Sequence, residues 1–593
     1  VFTPDGDRRE MGKRLSAALL VLFLVLAGRL VHLQILDRAD WERRSVENRI
    51  RPERIKAFRG VIRDRNGVLL ATNRPAFSVG VIPSQVRGKP EVYDALEGLL
   101  GVPAAEIEET VRQEASAHPY DEVRVQRDVD MQTVSRIEER RLDLPGVVVI
   151  AEPVREYPFG AVGCHTLGYI AEIRKDELEA LRGKGPYRQG DVVGRSGVEK
   201  RYEHALRGED GTRFLLEDAH GREIREVGEE PPTPGNVVVL SLDWRLQAVA
   251  DSVLGDHLAG AIVALDPRDG SVLALASHPG FDPNEFAIGI GAQAWRDMNS
   301  DPAHPLLNRA VQSAYPPGST YKLVTAAVAL EDRIVGPGTL FRGCYGGYTF
   351  GARFFRCWEP GGHGQLALAD AIVHSCDVYF YQVGERMNLV RFEEEGKHFG
   401  FGRKTGIDLP QEVKGLVPGP GYFDERYGRS RWTRGVQLNL AIGQGELLVT
   451  PLQLAVFYGA LGLGGEMHAP HVLSRVETYE GQLLEGFRDR TEMVHLDRGA
   501  WRVLTEALAG VVERGTARGA RIEGIRVAGK TGTAQNPHGL EHAWFVAYAP
   551  VEAPEIVVAA IVEQAGHGGT IAAPMVRRIL EEHFGPVVAM EAP

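Results

Sequence analysis

Tyr315-Pro-Pro-Gly-Ser319-Thr-Tyr-Lys322 is the stretch on which the reading of this chain turns. It sets a hydroxyl and an amine three residues apart, so on a helix both project from one face, a turn apart. A serine hydroxyl is a poor nucleophile until a base takes its proton, and a lysine at that spacing can serve. The prolines suit the entry to a helix, where no amide partner is needed. By itself S-x-x-K is common, and a solvated serine beside a surface lysine would explain it. The downstream sequence decides between these readings.

Ser375-Cys376-Asp377 follows within Ala371-Ile-Val-His-Ser-Cys-Asp-Val-Tyr-Phe-Tyr-Gln, and Lys530-Thr531-Gly532-Thr533 follows Ile525-Arg-Val-Ala-Gly. S-x-x-K, S-x-N and K-T-G in this order mark the penicillin-recognising serine enzymes. The middle motif departs as S-x-D. In that departure the chain resembles the elongation-specific class B penicillin-binding proteins, the penicillin-binding protein 2 group. Lys404-Thr405-Gly406 repeats the third motif, but it lies in the glycine-broken run Phe399-Gly-Phe-Gly-Arg-Lys-Thr-Gly-Ile-Asp-Leu-Pro, which resembles a connecting segment of that family. Only the copy at 530 precedes two strand-like runs, 543–549 and 555–563, joined by a proline-rich turn. They form a hairpin beside the K-T-G strand. Arg59-Gly-Val-Ile-Arg-Asp-Arg-Asn-Gly67, Arg155-Glu-Tyr-Pro158, Gly197-Val-Glu-Lys200, Asp269-Gly-Ser-Val272 and Ala441-Ile-Gly-Gln-Gly445 with Thr450-Pro-Leu-Gln453 also resemble segments of this family.

The 593 residues exceed a single core and call for two or more domains. Net charge is −12 with no long basic run, which argues against nucleic acid as the main partner. From Leu15 to Leu36 the chain is predominantly apolar, with Arg29 and His32 its basic residues, and about 22 residues suffice to cross a bilayer. A cleaved signal peptide is the rival reading, but no Ala-x-Ala site follows. Arg8, Arg9, Lys13 and Arg14 precede the span and place the short tail in the cytoplasm. Arg29 and His32 then snorkel to the interface or meet another membrane helix.

The expected division is a cytoplasmic tail (1–14), a transmembrane helix (15–36), a mixed α/β pedestal or dimerisation-like domain (37–235) with a head around 85–150, a catalytic domain (236–585) and a tail (586–593). Pro231-Pro-Thr-Pro-Gly235 marks the inner border. Helices are expected over 91–100, 104–113 and 243–258, and strands over 144–152, 261–266 and 272–277. The class is α+β. The resemblance implies a transpeptidase domain whose antiparallel sheet is sandwiched by helices.

It also implies a peptidoglycan D,D-transpeptidase of the cytoplasmic membrane, with its catalytic domain outside, which cross-links stem peptides during wall elongation and is acylated by β-lactams. Ser319 would attack the D-Ala-D-Ala carbonyl. Burial and a neighbouring Lys530 would favour the neutral, basic form of Lys322, whereas an acidic partner at Asp377 would favour its charged form. Ser375 would relay a proton. Lys530 and Thr531 would receive the substrate carboxylate, Gly532 would allow close backbone approach, and the amides of Ser319 and Thr533 would form the oxyanion hole. A division-type transpeptidase, a β-lactamase or a β-lactam sensor remain alternatives on the same fold; no obvious deacylating glutamate is present.

Catalysis of this kind needs no cofactor. Three of the four cysteines, with one histidine, nevertheless space as Cys344-x12-Cys357-x5-His363-x12-Cys376. Three thiolates and an imidazole suit a tetrahedral structural Zn²⁺. A Cys344–Cys357 disulfide or buried free thiols are the alternatives. By resemblance, some elongation-type members carry a metal beside S-x-D, with carboxylates where this chain has Cys344 and Cys357. The partners implied are a RodA-type SEDS glycosyltransferase and an MreC-type scaffold.

Overall fold

The computed structural model describes residues 5–38, 50–115, 122–181, 185, 187–188, 190–217, 223–429, 431–537 and 539–585. The expected tail 586–593 and the first four residues of the expected cytoplasmic tail lie outside them. The chain divides into two units, Val1–Phe58 with Gly208–Pro234, and Arg59–Arg207 with Gly235–Pro593.

In the first unit the helix Asp5–Val31 continues into a π-helical turn, His32–Leu36. Within it, Glu10–Leu36 is long and apolar enough to cross a membrane, and Leu15 and the run Leu19–Leu26 are exposed. An apolar surface of that length without a protein cover suits lipid rather than water. Strands Ile50–Ile55, Gly211–Glu217 and Glu223–Glu230 form a three-stranded antiparallel sheet with Gly211–Glu217 in the middle.

The second unit holds two larger sheets. In one, the long strand Leu69–Val81 pairs with Val123–Val129 and Val147–Glu156. Its outer part supports a small core of its own. Helices Pro90–Leu100 and Ala104–Ala115 bury Val92 and Leu96, and Ile107 and Val111, each pair four residues apart on one face. Pro90 opens the first of these helices and Gly101, at φ +71°, ends it.

The other sheet belongs to the catalytic region, whose sheet strands and principal helices in chain order are α1 (Trp244–Leu254), β1 (Gly260–Leu265), β2 (Val272–His278), α2 (Lys322–Glu331), α3 (Leu368–Val373), α4 (Asp377–Arg386), α5 (Pro451–Gly462), α6 (Arg498–Glu513), β3 (Ala528–Ala534), β4 (His542–Ala549), β5 (Ile556–Val562) and α7 (Ala572–Phe584). The five strands are antiparallel in the order β2-β1-β5-β4-β3, so Gly260 pairs with Val562 and Leu265 with Val557, far apart in the chain, and β3 is left at the sheet's edge. Every residue of β5 is buried. That unbroken apolar run, in place of alternation, follows from helices on both faces. The helices α1 and α7 pack together against the sheet, as do α5 and α6. Burying each valine or isoleucine there stabilises by about 1.5–3 kcal/mol. A capping box starts α5: Gln453 N donates to Thr450 Oγ1 at 3.0 Å and Thr450 N to Gln453 Oε1 at 2.9 Å, with Pro451 at the first helical position.

Candidate active site

Ser319 lies in a 3₁₀ turn, Gly318–Tyr321, that runs directly into α2 at Lys322. Gly318 has φ +56°, and a Cβ there would sit 2.7 Å from the Thr533 carbonyl oxygen, so only glycine lets this turn lie against β3. Ser319 is half-buried, whereas Lys322 is wholly buried. Tyr458 OH from α5 holds the turn by donating to Thr320 O at 2.8 Å.

Ser375 sits between α3 and α4 with φ +52°, a left-handed conformation that costs a non-glycine residue about 1–3 kcal/mol. Its hydroxyl receives both lysines, Lys530 Nζ at 2.9 Å and Lys322 Nζ at 3.3 Å. Lys322 Nζ also donates to Ser375 O at 2.8 Å and pairs with Asp377 Oδ1 at 2.7 Å. Asp377 opens α4, where a negative charge is favoured by the helix dipole. Its second oxygen accepts from Trp358 N at 3.0 Å. Lys530, in β3, is wholly buried, and its amine donates to Ser375 Oγ and, at 3.0 Å, to Thr531 O. Burial pushes that amine well below the ordinary lysine range, the charge on Lys322 adds to this, and Asp377 opposes it. Lys322 therefore has the carboxylate partner, and Lys530 is the lysine that burial drives toward neutrality.

The three sequence motifs converge at this point, and Thr531, Gly532 and Thr533 extend from it along the sheet edge. A Cβ on Gly532 would meet Pro317 O at 2.9 Å. The second K-T-G lies elsewhere. Thr405 N and Oγ1 both donate to Glu412 Oε1 at 2.6 Å, Gly406 N donates to Glu412 Oε2 at 3.1 Å, and Lys404 is exposed.

Three site residues carried no chemical signal in the sequence. Thr516 shares a 2.6 Å hydroxyl contact with Thr531. Trp358, half-exposed, steadies Asp377 and ties its indole N–H to His374 O at 3.1 Å. Gln444 bonds to β3 through its carboxamide.

Cys344, Cys357, His363 and Cys376 come together beside the S-C-D motif, with ligand atoms all within 4.8 Å of one another. All four cysteines of the chain are free thiols. Cys376 precedes Asp377, and Cys357 precedes Trp358, so the cluster joins the two chain segments that hold Asp377. His363 Nε2 is buried without a hydrogen-bond partner. Three sulfurs and an orphaned imidazole nitrogen fit a zinc ion.

A penicillin-binding protein transpeptidase domain model matches residues 260–581, and a penicillin-binding protein dimerisation domain model matches 54–240. Peptidoglycan D,D-transpeptidase MrdA of Acinetobacter baumannii is 35% identical over 569 residues, covering 93% of this chain and 84% of that protein. Among solved structures, PBP2 in its complex with MreC from Helicobacter pylori superposes with a TM-score of 0.80 at 29% identity, covering 90% of this chain and 99% of the other. A chain from a peptidoglycan synthase complex, in a study of how polymerization and crosslinking are coordinated, gives 0.74 at 31% identity, covering 99% and 100%.

Proposed function

The chain belongs to the penicillin-binding protein transpeptidases, and from that premise we propose how its own residues carry the reaction. It is a peptidoglycan D,D-transpeptidase of the elongation type, working through a serine acyl-enzyme. Ser319 Oγ bonds to the carbonyl carbon of the penultimate D-Ala of a stem peptide. The C–N bond to the terminal D-Ala breaks and its nitrogen leaves with a proton. An amine of a neighbouring stem peptide then attacks the ester, forms the cross-link and returns the proton to Ser319.

The observation that carries the assignment of roles is the placing of both lysine amines on one hydroxyl, Ser375 Oγ. In the resting site Lys322 is the lysine paired with Asp377, and burial drives Lys530 toward the neutral amine. A substrate carboxylate arriving at Lys530 and Thr531 favours protonation of Lys530. A proton then moves from Lys322 through Ser375 to Lys530 and leaves Lys322 as the base for Ser319. The same serine passes the proton back to the leaving amine. The amides of Ser319 and Thr533 receive the oxyanion. Thr516 orients Thr531 for the carboxylate. Replacing Ser375 by alanine tests this relay: acylation by a penicillin should fall by about 10²–10⁴, the span of a lost acid–base group. A rate close to the native one would remove the relay.

Cys344, Cys357, His363 and Cys376 hold a structural Zn²⁺ in this reading. Four protein ligands close the site, and the ion's chemistry is to staple the segment of Cys357 and Trp358 to the S-C-D turn. Metal analysis of the purified protein should give one zinc per chain. Chelation should slow acylation while leaving Ser319 intact; two titratable thiols and no metal would contradict it.

The helix Glu10–Leu36 is compatible with a single-pass anchor. We place residues 1–14 in the cytoplasm, 15–36 in the cytoplasmic membrane, the pedestal over 37–235 with its head around 85–150, and the transpeptidase domain over 236–585. The kinship with MreC-bound PBP2 and with the synthase complex supports an MreC-type scaffold and a RodA-type glycosyltransferase as partners. Pull-down of either through the full chain tests this.

A further inference from the structure

The Ala441-Ile-Gly-Gln-Gly445 segment stood out in the sequence without a chemical role. Its loop is fixed tightly. Gly443 and Gly445 have φ +75° and +80°, Gly318 N donates to Gly443 O at 2.8 Å, and a Cβ on Gly443 would meet Gly318 O at 2.0 Å. Gln444 N donates to Asn439 O at 2.9 Å. The side chain that emerges, Gln444, is buried. Its Nε2 donates to Thr533 O at 2.9 Å, and its Oε1 accepts from Gln535 N at 3.2 Å.

Thr533 O belongs to the free edge of β3, and Gln535 N follows directly on the strand's end. Along an antiparallel strand, alternate residues turn both backbone groups toward the partner strand and away from it. Thr531 O points away from β4, since it accepts from Lys530 Nζ, and so by alternation does Thr533 O, two residues on. Uncovered edges invite another strand, and proteins blunt them. Here a carboxamide blunts the edge with the donor and acceptor of a peptide group.

The reaction needs the same edge. With the scissile carbonyl on Thr533 N–H, as in the mechanism above, a hydrogen-bonded antiparallel pair exchanges both of its bonds. The N–H of the residue under attack therefore falls on Thr533 O, where Gln444 Nε2 now sits. We propose that Gln444 is a displaceable cover of the K-T-G strand edge and a specificity-determining residue. A ligand that brings its own N–H exchanges it for the glutamine's, whereas a ligand without one leaves the cover in place. The cover returns when the peptide leaves, so the edge is not left open to other extended chains.

This inference rests on the transpeptidase reading of Ser319 and Thr533, and the test separates the two. Acylation rate constants of the full chain are measured for a penicillin with a 6-acylamino N–H and for penicillanic acid, which lacks that substituent. The ratio of the two constants is compared between the native protein and Gln444→Met, which keeps the length and removes both bonds. With Thr533 O uncovered, the ratio should rise about fivefold, the size of one net hydrogen bond. An unchanged or lower ratio in a variant of native melting temperature would overturn the proposal. Should the variant not fold, a structure of the penicillin-acylated native chain decides it. Gln444 Nε2 off Thr533 O supports the cover, and Gln444 still bonded there overturns it. No adduct on the native protein would overturn the transpeptidase reading along with it.

Discussion

Two clusters of buried charge lie in the same structural unit and differ in balance. In the region that the dimerisation domain model matches, Arg59 and Arg155 meet Glu199, with Glu203 at its margin. Arg59 donates to Glu199 Oε2 and Glu203 Oε2, both at 2.7 Å. Arg155 donates to Glu199 Oε1 at 2.7 Å and to Gly60 O at 2.7 Å. Tyr157 OH adds a 3.1 Å bond to Glu199. Two positive charges face two negative ones. Burial opposes the ionisation of Glu199, yet Arg155 and Arg59 hold it below the ordinary glutamate value. At the catalytic cleft two lysines share one aspartate, and the surplus falls on Lys530, whose amine burial drives toward neutrality. A balanced buried cluster has no cheap proton to move, so it fixes structure. An unbalanced one keeps a group close to changing its protonation state, which acid–base chemistry needs.

Lys322→Ala breaks the comparison on the catalytic side and has the largest expected effect. Acylation by a penicillin should fall by about 10²–10⁴, with a smaller loss of stability than Glu199→Ala gives, because Lys530 remains to balance the buried Asp377. A melting temperature that falls as far as the rate would make the cleft cluster structural too. Glu199→Ala breaks the other side. It leaves two buried guanidinium groups unpaired, and urea unfolding should report a loss of about 3–5 kcal/mol. The fraction still folded should acylate at the native rate, whereas a slowed rate in folded protein would couple the two clusters.

Lowering the pH sharpens the contrast and has the mildest effect. Lys530 must begin neutral to accept its proton. As pH falls through its depressed value, acylation should drop by up to about tenfold per unit. Stability responds with defined signs. The unfolded chain protonates Lys530 below about 10.4 and the folded chain only lower, so that lysine makes stability rise with pH across the interval. Glu199, depressed in the fold, contributes fully above its ordinary value of about 4.3 and loses that contribution as pH falls through its lower folded value. Acylation followed alongside circular dichroism should therefore fail well before the fold does. Coincident curves would contradict the distinction.

The sequence made the local parts of this picture legible. S-x-x-K, S-C-D and the true K-T-G are each short and self-contained, and the hairpin after Lys530 distinguished it from the copy at Lys404. The helices at 91–100 and 104–113 were equally readable from spacing, since each buries one face four residues at a time, whereas the sandwiched antiparallel sheet was implied only by the resemblance. The sheet order was not, because β1 and β5 pair across nearly 300 residues and no local signal reports that. Nor was the division of labour between the lysines. The sequence left the charge on Lys322 open, since burial favours its neutral form and Asp377 its charged one, and which amine meets Asp377 depends on contacts between segments far apart in the chain. Trp358, Thr516 and Gln444 carried no chemical signal because each acts through one or two contacts across the fold, and those of Trp358 and Gln444 involve backbone groups that every residue possesses.

The most direct test of the whole account is the intact mass of the purified protein after exposure to a penicillin, run beside Ser319→Ala. The account predicts one stable adduct per native chain and none on the variant. An adduct that survives Ser319→Ala, or one that forms on the native chain and is rapidly hydrolysed away, would contradict it.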